Sequence, residues 1–466
     1  MAPSARLAMP DTRITEIGAS RDGITDEGYP PRAVAAWALS ILMFAAVVSL
    51  LDRQILTLLV QPVKVDLHIS DTRISLLQGL AFAIFYTIMG LPLGHLVDRI
   101  NRKRLVVGGV LVWSFMTVLC GTVHSFSGLF AARVGVGIGE AVLHPAAYSL
   151  ISDYFPPSKR GRSYSLFSAA GTFGIALSWV FGGMILHWLG GGGTVTLPFL
   201  APRPSWQAVF IIAGLPGLIV IPLLLTVHEP RRRELSLAAT AVAGTYERLG
   251  DFLRRSWRAV ALVLGANALI ALAGYGVIAW MAAAFVRVYA IRLGNAGLLC
   301  GLIMFLAALI GAPLGGFLAD RFTVRGVLGG KMMLPVITGI IGSAAFCGWW
   351  LVNNLQLAVA FGTVAFILQV ATTSTAPAAL NDLAPNELRG RLSAIYLLAT
   401  GVAGIGLGPT AVALITDHVF GNDLGVRYAM PLVAAPCLLV AAALSWMGRR
   451  LYSNSVRAQK ARQMMA

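Results

Sequence analysis

The feature that most constrains this chain is a series of twelve long apolar runs. Each has about 20 residues or more, the length that an α-helix needs to cross about 30 Å of hydrocarbon. Hydrophobic residues make up 57% of the 466 residues and charged residues only 12%, too few for the surface of a soluble protein. The sequence therefore predicts an all-α integral membrane protein with transmembrane helices at residues 34–60, 72–98, 104–123, 126–150, 163–189, 206–227, 259–286, 295–320, 330–352, 355–381, 392–416 and 428–448.

The 36 lysines and arginines are distributed unevenly between the two ends of these helices. The side shared by both termini has 28 of them and two lie inside predicted helices, whereas the opposite side has only Lys64, Arg73, Arg203, Arg287, Arg292 and Arg427. Because cytoplasmic loops are enriched in Lys and Arg, both termini are predicted to be cytoplasmic. Membrane topology thus explains the formal charge of +16, and we expect no nucleic-acid binding. The short loops and the lack of an organelle presequence indicate a multi-pass protein of a bacterial inner membrane.

The chain also contains an internal repeat, as expected of a transporter built from two related halves. Three motifs recur with offsets of 222, 229 and 230 residues: Gly94 to Arg99 as Gly316 to Arg321, Asp153 with Arg160-Gly161-Arg162 as Asp382 with Arg389-Gly390-Arg391, and Gly171 with Gly174 as Gly401 with Gly404. We predict five regions: a disordered cytoplasmic tail (1–33), an N-terminal six-helix half (34–227), a cytoplasmic linker (228–258), a C-terminal six-helix half (259–450) and a cytoplasmic tail (451–466).

Several motifs resemble a known family. The segment Gly94-His-Leu-Val-Asp98-Arg99-Ile-Asn-Arg102-Lys103-Arg104 is similar to the cytoplasmic signature of the major facilitator superfamily, whose members have twelve helices in two halves. Within this superfamily, further motifs resemble the Spinster family of lipid transporters: Leu51-Asp52-Arg53-Gln54, Arg133 to Ala141, Gly408-Pro409 and Asp417. The resemblance implies a proton-coupled secondary active transporter that moves an amphipathic lipid, such as a lysophospholipid or sphingosine-1-phosphate, by alternating access.

Asp52, Arg53, Arg133 and Glu140 are strongly charged residues well inside predicted helices. A charge near the bilayer centre costs at least a few kcal/mol, so such residues are functional candidates. Helical geometry puts Arg133 near the level of Asp52 and Arg53, and Glu140 about two turns away on the same face as Arg133. We predict that Asp52 and Glu140 carry the coupling proton, as the resemblance also implies, while Arg53 and Arg133 hold these carboxylates or a substrate head group. The alternative is a static ion-pair cluster that joins the two helices.

Two further features lie on the same face of the fourth helix. His144 follows Glu140 by one turn and could relay protons, because histidine changes charge near neutral pH. A packed, hydrogen-bonded structural histidine is the alternative. The glycines at positions 135, 137 and 139 are predicted to leave room for the first helix or for a ligand.

The cytoplasmic signature is a candidate conformational latch formed by Gly94, Asp98, Arg99, Arg102 and Lys103. Gly94 permits close helix packing, and Asp98 could face the N-terminus of a neighbouring helix. The resemblance implies that this motif holds the two halves together in the outward-open state. For the basic residues, the alternative is that they only set the topology.

The C-terminal half has no charged residue at the centre of its helices and offers neutral polar groups instead. The candidate cavity residues are Asn267 and Tyr275 in the seventh helix and Thr372, Thr373 and Thr375 in the tenth. A cavity with charges on one wall and apolar groups on the other suits an amphipathic molecule with an acidic or zwitterionic head. Helix packing is the alternative role for the threonines.

Two other transporter classes stay open. Arg53 and Arg133 would also bind the carboxylate of a small organic anion, and a multidrug exporter is disfavoured, though not removed, because Ile175 rather than proline follows Gly174. The chain has no nucleophile elbow, nucleotide-binding loop or His/Cys metal cluster, and its four cysteines occur singly. We therefore expect no enzymatic activity, no cofactor and no metal. The expected partners are the substrate, protons and membrane lipids, and the expected functional unit is a monomer.

Overall fold

The structure is a computed structural model that describes residues 29–190, 193–196, 201–232, 249–327, 329–385 and 388–465. Within these ranges, twelve helices are long and apolar enough to cross a membrane, which confirms the predicted architecture. We label them α1–α12. The membrane side at the start of α1 and the end of α12 is called the terminal side, and the opposite side is called the far side. Most of the predicted tail 1–33, and residues 233–248 of the predicted linker, lie outside the described residues.

The N-terminal half consists of α1 (Arg32–Leu58), α2 (Asp71–Gln78 and Leu80–Arg99), α3 (Arg102–Cys120), α4 (Phe126–Glu140 and Leu143–Tyr154), α5 (Pro157–Trp188) and α6 (Ser205–Gly214 and Pro216–Thr226). The break in α4 directly after Glu140 has a local cause. Pro145 has no N–H group, and its ring collides with the carbonyl four residues earlier. On the far side lie a short helix, Val60–Leu67, and two antiparallel strands, β1 (Thr194–Val195) and β2 (Arg203–Pro204).

The C-terminal half consists of α7 (Leu249–Tyr289), α8 (Leu293–Leu306, Ala307–Gly311 and Ala312–Val324), α9 (Gly330–Met332, Met333–Ile337, Thr338–Gly342 and Ser343–Leu351), α10 (Leu355–Leu383), α11 (Arg389–Gly401, Val402–Leu407, Gly408–Ile415 and Thr416–Phe420) and α12 (Val426–Met465). A 3-10 turn, Asp423–Gly425, precedes α12. Glycine-containing π turns interrupt α8, α9 and α11, and such turns are common sites of helix bending. The predicted tail 451–466 continues α12 as far as Met465, because its Arg, Gln, Lys and Ala residues favour helix.

The two halves meet along two pairs of helices, α5 with α8 and α2 with α11. A Cβ atom at Gly183 would lie 2.8 Å from the carbonyl oxygen of Gly294, and one at Gly79 would lie 2.6 Å from that of Ile405. Glycine alone leaves room for backbones that approach so closely. Gly79, Gly183 and Gly294 all lie in the far-side portions of their helices, so the halves are pressed together there.

The repeat is visible as one ion pair at the same terminal-side corner of each half. The Arg102 guanidinium at the start of α3 pairs with Asp153 at the end of α4. In the C-terminal half, Lys331 Nζ lies 2.7 Å from Asp382 Oδ2 at the end of α10. Both partners in the second pair follow their counterparts by 229 residues, so the repeat inferred from the sequence holds in three dimensions.

Candidate functional site

The four charged residues predicted to act inside the membrane form one cluster between α1 and α4. Arg53 donates two hydrogen bonds to Glu140 Oε2, with Nη2 at 2.7 Å and Nε at 3.2 Å. The Glu140 side chain is completely buried, whereas that of Arg53 is 16% exposed. Arg53 is therefore the cluster member with access to a ligand.

Arg133 connects α4 to the backbone of α1. Its guanidinium donates to the carbonyl oxygens of Asp52 at 3.0 Å and Arg53 at 3.3 Å. Arg133 is only 1% exposed, so these bonds are shielded from bulk solvent. This contact fits a structural role that orients α1 as well as it fits a switching role.

Asp52 is in a different environment from Glu140. Its carboxylate is fully buried, and neither oxygen accepts a hydrogen bond from any residue that the structure describes. The hydroxyl of Thr117, also buried, has no partner there either. A buried carboxyl group that lacks hydrogen-bond donors is costly as an anion, which distinguishes Asp52 from the paired Glu140.

An aromatic bed on α2 supports Arg53. Its guanidinium carbon lies 4.2 Å from the ring centre of Phe82 and 5.1 Å from that of Tyr86, which stabilises the cation. Tyr86 Oη lies 3.4 Å from His144 Nδ1. Glu140, Arg53, Tyr86 and His144 are therefore linked in turn by an ion pair, a cation–π contact and a contact between Tyr86 Oη and His144 Nδ1, in a series that leads toward the terminal side.

The prediction for the glycines of α4 was wrong. A Cβ atom at Gly137 would lie 3.0 Å from the carbonyl oxygen of Phe82 in α2, and one at Gly139 would lie 2.7 Å from the backbone nitrogen of Trp113 in α3. Gly135 faces the Met116 side chain in the same way. These glycines admit α2 and α3, and not α1 or a ligand.

The candidate cavity residues of the C-terminal half fall into two groups. Tyr275 of α7 is half-buried and within electrostatic range of Arg53, and Thr373 of α10 is also half-buried. By contrast, Asn267 donates to the carbonyl of Val263 in its own helix at 2.8 Å and is buried. Thr372 and Thr375 are buried as well, and the Thr372 hydroxyl bonds to that of Thr338 in α9. These last three positions favour helix packing, and Tyr275 remains the best-placed candidate.

A network that sequence reasoning missed joins the two halves at the far side, and we call it the far-side gate. Arg287 of α7 donates from Nη1 to Asp71 Oδ2 at 2.6 Å and from Nη2 to Asp71 Oδ1 at 2.8 Å. The two side chains are 3% and 0% exposed. Lys64 donates to Asp71 at 2.7 Å and to Asp423 of the C-terminal half at 2.6 Å. Two ion pairs among the described residues, Arg287 with Asp71 and Lys64 with Asp423, therefore cross between the halves.

Further contacts extend the gate. Asp417 of α11 accepts hydrogen bonds from both the backbone N–H and the hydroxyl of Thr72, each at 2.7 Å. Its carboxylate thus lies at the positive end of the helix that begins α2. Gln61 accepts from Arg287 Nε at 2.8 Å and donates to Asp423 at 3.3 Å.

One signal in the sequence could have identified the gate. Lys64 and Arg287 are two of the six basic residues on the side that the charge bias depletes. A cation that topology does not require needs another explanation, and a carboxylate partner is a common one. Spacing along the chain could not reveal the partners, because Arg287 and Asp71 are 216 residues apart.

The latch candidates at the terminal side lie in two different environments. Arg102 is buried and pairs with Asp153 and, from Nε to Glu229 Oε1 at 2.8 Å, with Glu229. The backbone N–H of Lys103 also donates to Glu229, at 2.9 Å. Asp153 belongs to the N-terminal half, and Glu229 lies in the predicted linker directly after α6. Asp98 and Arg99 are exposed, and the position of a Gly94 Cβ atom is open.

Gly94 is one of seven glycines with open surroundings in four helices of the described chain. A Cβ atom at any of the seven would meet no atom within 4 Å: Gly90, Gly94, Gly161, Gly171, Gly316, Gly390 and Gly401. They belong to α2, α5, α8 and α11, the helices that meet through tight glycine contacts at the far side. The structure is thus closed at the far side, and these helices have free space toward the terminal side.

A profile of the Major Facilitator Superfamily matches residues 42–334 and 295–463. The chain belongs to this superfamily. It is 28% identical over 434 residues to an "MFS-type efflux pump" of Mycolicibacterium smegmatis, covering 92% of this chain and 96% of that protein. It is 28% identical over 344 residues to the "Probable L-galactonate transporter" of Escherichia coli, covering 70% of each.

Among solved structures, this superfamily member is similar to a bacterial homolog of the human lysosomal transporter Spinster in an inward-facing and occupied conformation. The identity is 26%, the TM-score is 0.74, and the match covers 92% of this chain and 98% of that one. The resemblance to Spinster is therefore confirmed in both sequence and fold. The chain is a membrane transporter, and its superfamily consists of carriers. Its twelve apolar helices and bacterial relatives place it in the bacterial inner membrane.

Proposed function

We propose that this protein is a proton-coupled carrier of an amphipathic lipid with an acidic or zwitterionic head group, such as a lysophospholipid or sphingosine-1-phosphate. The observation that carries the proposal is the distribution of buried charge. The membrane interior of α1 and α4 contains two arginines and two carboxyl groups, whereas the central parts of α7–α12 contain no charged residue. A head group fits the first wall and an acyl chain fits the second.

The contact between Arg53 and Glu140 suggests how substrate and proton are coupled. An anionic head group that binds Arg53 competes with Glu140 for the same guanidinium. Without its cation, the buried Glu140 carboxylate becomes costly and gains stability by binding a proton. Substrate and proton are thereby linked through one arginine, with Asp52 as a second proton site and Tyr86 and His144 as the path to the terminal side.

The gate and the latch provide the two closures that alternating access requires. The far-side gate closes the state described here. On the orientation that the basic residues predict, this state opens to the cytoplasm. Asp98, which is exposed in this state, and Gly94, where a Cβ atom would meet open space, then close the terminal side when the gate opens.

A small organic anion is the second candidate substrate, because the E. coli relative is named a probable L-galactonate transporter. Arg53 offers the same charge to a sugar acid as to a lipid phosphate. Export of drugs is suggested in turn by the name of the M. smegmatis relative. An acyl chain explains the uncharged C-terminal wall more directly than either alternative substrate does. An apolar drug would also contact this wall.

The test is transport of a fluorescent lysophospholipid in proteoliposomes under an imposed pH gradient. We expect gradient-driven transport by the wild type and its loss in Glu140→Gln, since the amide cannot carry the proton. Asp66→Asn is the matched control. Asp66 is an exposed far-side acid that accepts a hydrogen bond from Trp206 Nε1 at 3.0 Å, and an amide oxygen can replace that acceptor.

Two outcomes would contradict the proposal. Unchanged gradient-driven transport in Glu140→Gln would remove Glu140 from the coupling mechanism. If galactonate inhibits transport and the transport rate does not depend on the acyl chain length of the lipid, the protein is a carrier of a soluble anion.

A further inference from the structure

Three arginines on the terminal-side end of α12 line a pocket of about 510 Å³. Arg449, Arg450 and Arg457 share it with Ser453 and Asn454 of α12 and with the glycine-rich turn between α8 and α9. We call it the α12 arginine pocket. No carboxylate lines it, and no ion pair joins these three guanidinium groups to a carboxylate of the described residues. The pocket therefore concentrates positive charge without an internal counter-ion.

The pocket is built by close packing and is more than a row of surface charges. Arg449, Ser453 and Arg457 follow each other at intervals of four residues and so share one face of α12. A Cβ atom at Gly329 would lie 2.8 Å from the Ser453 hydroxyl oxygen. The turn between α8 and α9 thus lies directly against this face and closes one side of the pocket.

The surroundings place the pocket at the level of lipid head groups. Trp446 is exposed, and the Arg449 guanidinium lies 3.6 Å from its ring centre. Tryptophan is enriched at the boundary between hydrocarbon and water. Met447, Phe317 and Val324 are exposed apolar side chains on α12 and α8, and they provide a surface for acyl chains beside the cationic pocket.

The internal repeat offers a comparison. In the N-terminal half, the corner where α3 begins is filled by the chain's own carboxylate, because Glu229 accepts hydrogen bonds from Arg102 Nε and from the backbone of Lys103. In the C-terminal half, Lys331 occupies the place of Arg102, and the α12 arginine pocket lies beside it with no carboxylate in its lining. An anion from outside the chain would supply the charge that Glu229 supplies in the first half.

We propose that the α12 arginine pocket binds the phosphate of an anionic phospholipid in the terminal-side leaflet. The lipid is a bound component of the C-terminal half and is distinct from the transported substrate. Its phosphate bridges arginines of α12 and contacts the turn between α8 and α9. It would therefore tie α12 to α8 and α9 at this corner, as Glu229 ties α6 to α3.

The experiment is titration of the full-length protein, purified in detergent, with dioleoylphosphatidylglycerol, followed by native mass spectrometry. Dioleoylphosphatidylcholine and inorganic phosphate are the comparison probes. We expect one phosphatidylglycerol to bind at least about tenfold more tightly than phosphatidylcholine, because charge-assisted bonds between Arg and phosphate are strong. The triple variant Arg449→Gln, Arg450→Gln, Arg457→Gln should lose this preference.

The matched control removes three other exposed arginines from the same side of the same half: Arg254→Gln, Arg258→Gln, Arg391→Gln. It should keep the preference, whereas equal losses in both triple variants would show that only total charge matters and would overturn the proposal. Inorganic phosphate that binds alone and displaces the lipid completely would also overturn it, in favour of a soluble anion. Arg53→Gln should keep the bound lipid, which separates this site from the transport cavity.

A fourth variant separates lost binding from misfolding. Ser453→Asp introduces a carboxylate at the pocket, as Glu229 does in the first half. We expect at least about tenfold weaker phosphatidylglycerol binding with no loss of melting temperature, since the new side chain occupies the cationic site itself. Unchanged lipid binding in this variant would contradict the proposed location.

Discussion

The far-side gate predicts that one substitution shifts the conformational equilibrium of the carrier. In Arg287→Gln, Asp71 keeps its hydrogen bond from Lys64, which belongs to the same half. The bidentate connection between the halves is lost. The variant should therefore populate a state that is open at the far side, without leaving a buried carboxylate unpaired.

The size of the shift follows from the geometry of the pair. Arg287 donates two hydrogen bonds to Asp71, at 2.6 Å and 2.8 Å, and both side chains are almost completely buried. A hydrogen bond to a charged group contributes about 1.5–3 kcal/mol, but opening returns both groups to water and offsets part of the loss. We take about 3 kcal/mol for the pair, which corresponds to a change of about 100-fold in the ratio of closed to open states.

The other connection cannot compensate for this loss. Lys64 still bridges to Asp423, but the Asp423 side chain is 44% exposed. A solvent-exposed ion pair contributes at most about 1 kcal/mol. The closed far side would then depend on the glycine contacts of α5 with α8 and of α2 with α11, together with the hydrogen bonds from Thr72 to Asp417 and from Gln61 to Asp423.

Distance measurements between spin labels test this prediction. Val65 and Leu424 are exposed residues on the far side, one in each half, and Ile100 and Val324 are an equivalent pair on the terminal side. With cysteines at these positions, and with the partly exposed Cys347 and Cys437 replaced by alanine, Arg287→Gln should lengthen the far-side distance. It should also shorten the terminal-side distance.

Arg427→Gln is the matched control. Arg427 is also a far-side arginine, but it donates to Trp350, Leu351 and Asn353, all in its own half. It should leave both distances unchanged. If Arg287→Gln also leaves them unchanged, the gate does not hold the closed state and the reasoning from burial and geometry is refuted.

Four further predictions follow from the packing of single residues. Gly183→Ala should lower the melting temperature of the purified protein, because the new Cβ atom would lie 2.8 Å from a carbonyl oxygen of α8. Gly171→Ala should leave the melting temperature unchanged, because its Cβ atom would meet open space. Arg102→Gln should reduce the free energy of unfolding by about 3–5 kcal/mol in a denaturant titration, since it removes the buried cation that bonds both Asp153 and Glu229; an unchanged midpoint would contradict this. Asp98→Asn should leave the melting temperature unchanged, since Asp98 is exposed in this state, but should slow transport in proteoliposomes; wild-type rates would count against the latch. Arg133→Gln should reduce stability by about 2–3 kcal/mol in the same titration through loss of two charge-assisted hydrogen bonds, and a smaller change would show that these contacts with α1 are weak.

Periodicity within a single helix was sufficient to predict which residues of that helix lie on one face. Arg133 and Glu140 are seven residues apart, so they share a face, and the structure shows both in contact with Asp52 or Arg53 of α1. The charge of these residues in an apolar setting identified the cluster. Twelve apolar runs and the repeat predicted the fold in the same way, because both are properties of local sequence.

The direction in which a face points was not predictable from the same pattern. The glycine face around Gly137 was predicted to border α1 or a ligand, but it borders α2 and α3. Thr372 and Thr373 are adjacent in sequence, yet one is buried against α9 and the other is half-buried. Which neighbour covers a face depends on the packing of all six helices of a half, and no single helix records it.

The position of α2 links the gate to the charge cluster. Asp71 begins this helix at the gate, and Phe82 and Tyr86 of the same helix support Arg53 at the centre. Gln78, between these two places, donates to the carbonyl of Ala279 in α7 at 2.9 Å. When the gate opens, α2 must separate from α7 and α11, and we expect the aromatic bed under Arg53 to move with it.

Such a movement couples the Arg53–Glu140 pair to the state of the gate. The gate is then a two-state element, and energetic coupling between distant sites requires such an element. Linkage makes the coupling reciprocal. If opening the gate weakens the bond between Arg53 and Glu140, then protonation of Glu140, which weakens the same bond, must favour the open gate by the same free energy. A variant that opens the gate, such as Arg287→Gln, should therefore make proton binding at Glu140 more favourable although the two residues lie at different levels of the membrane.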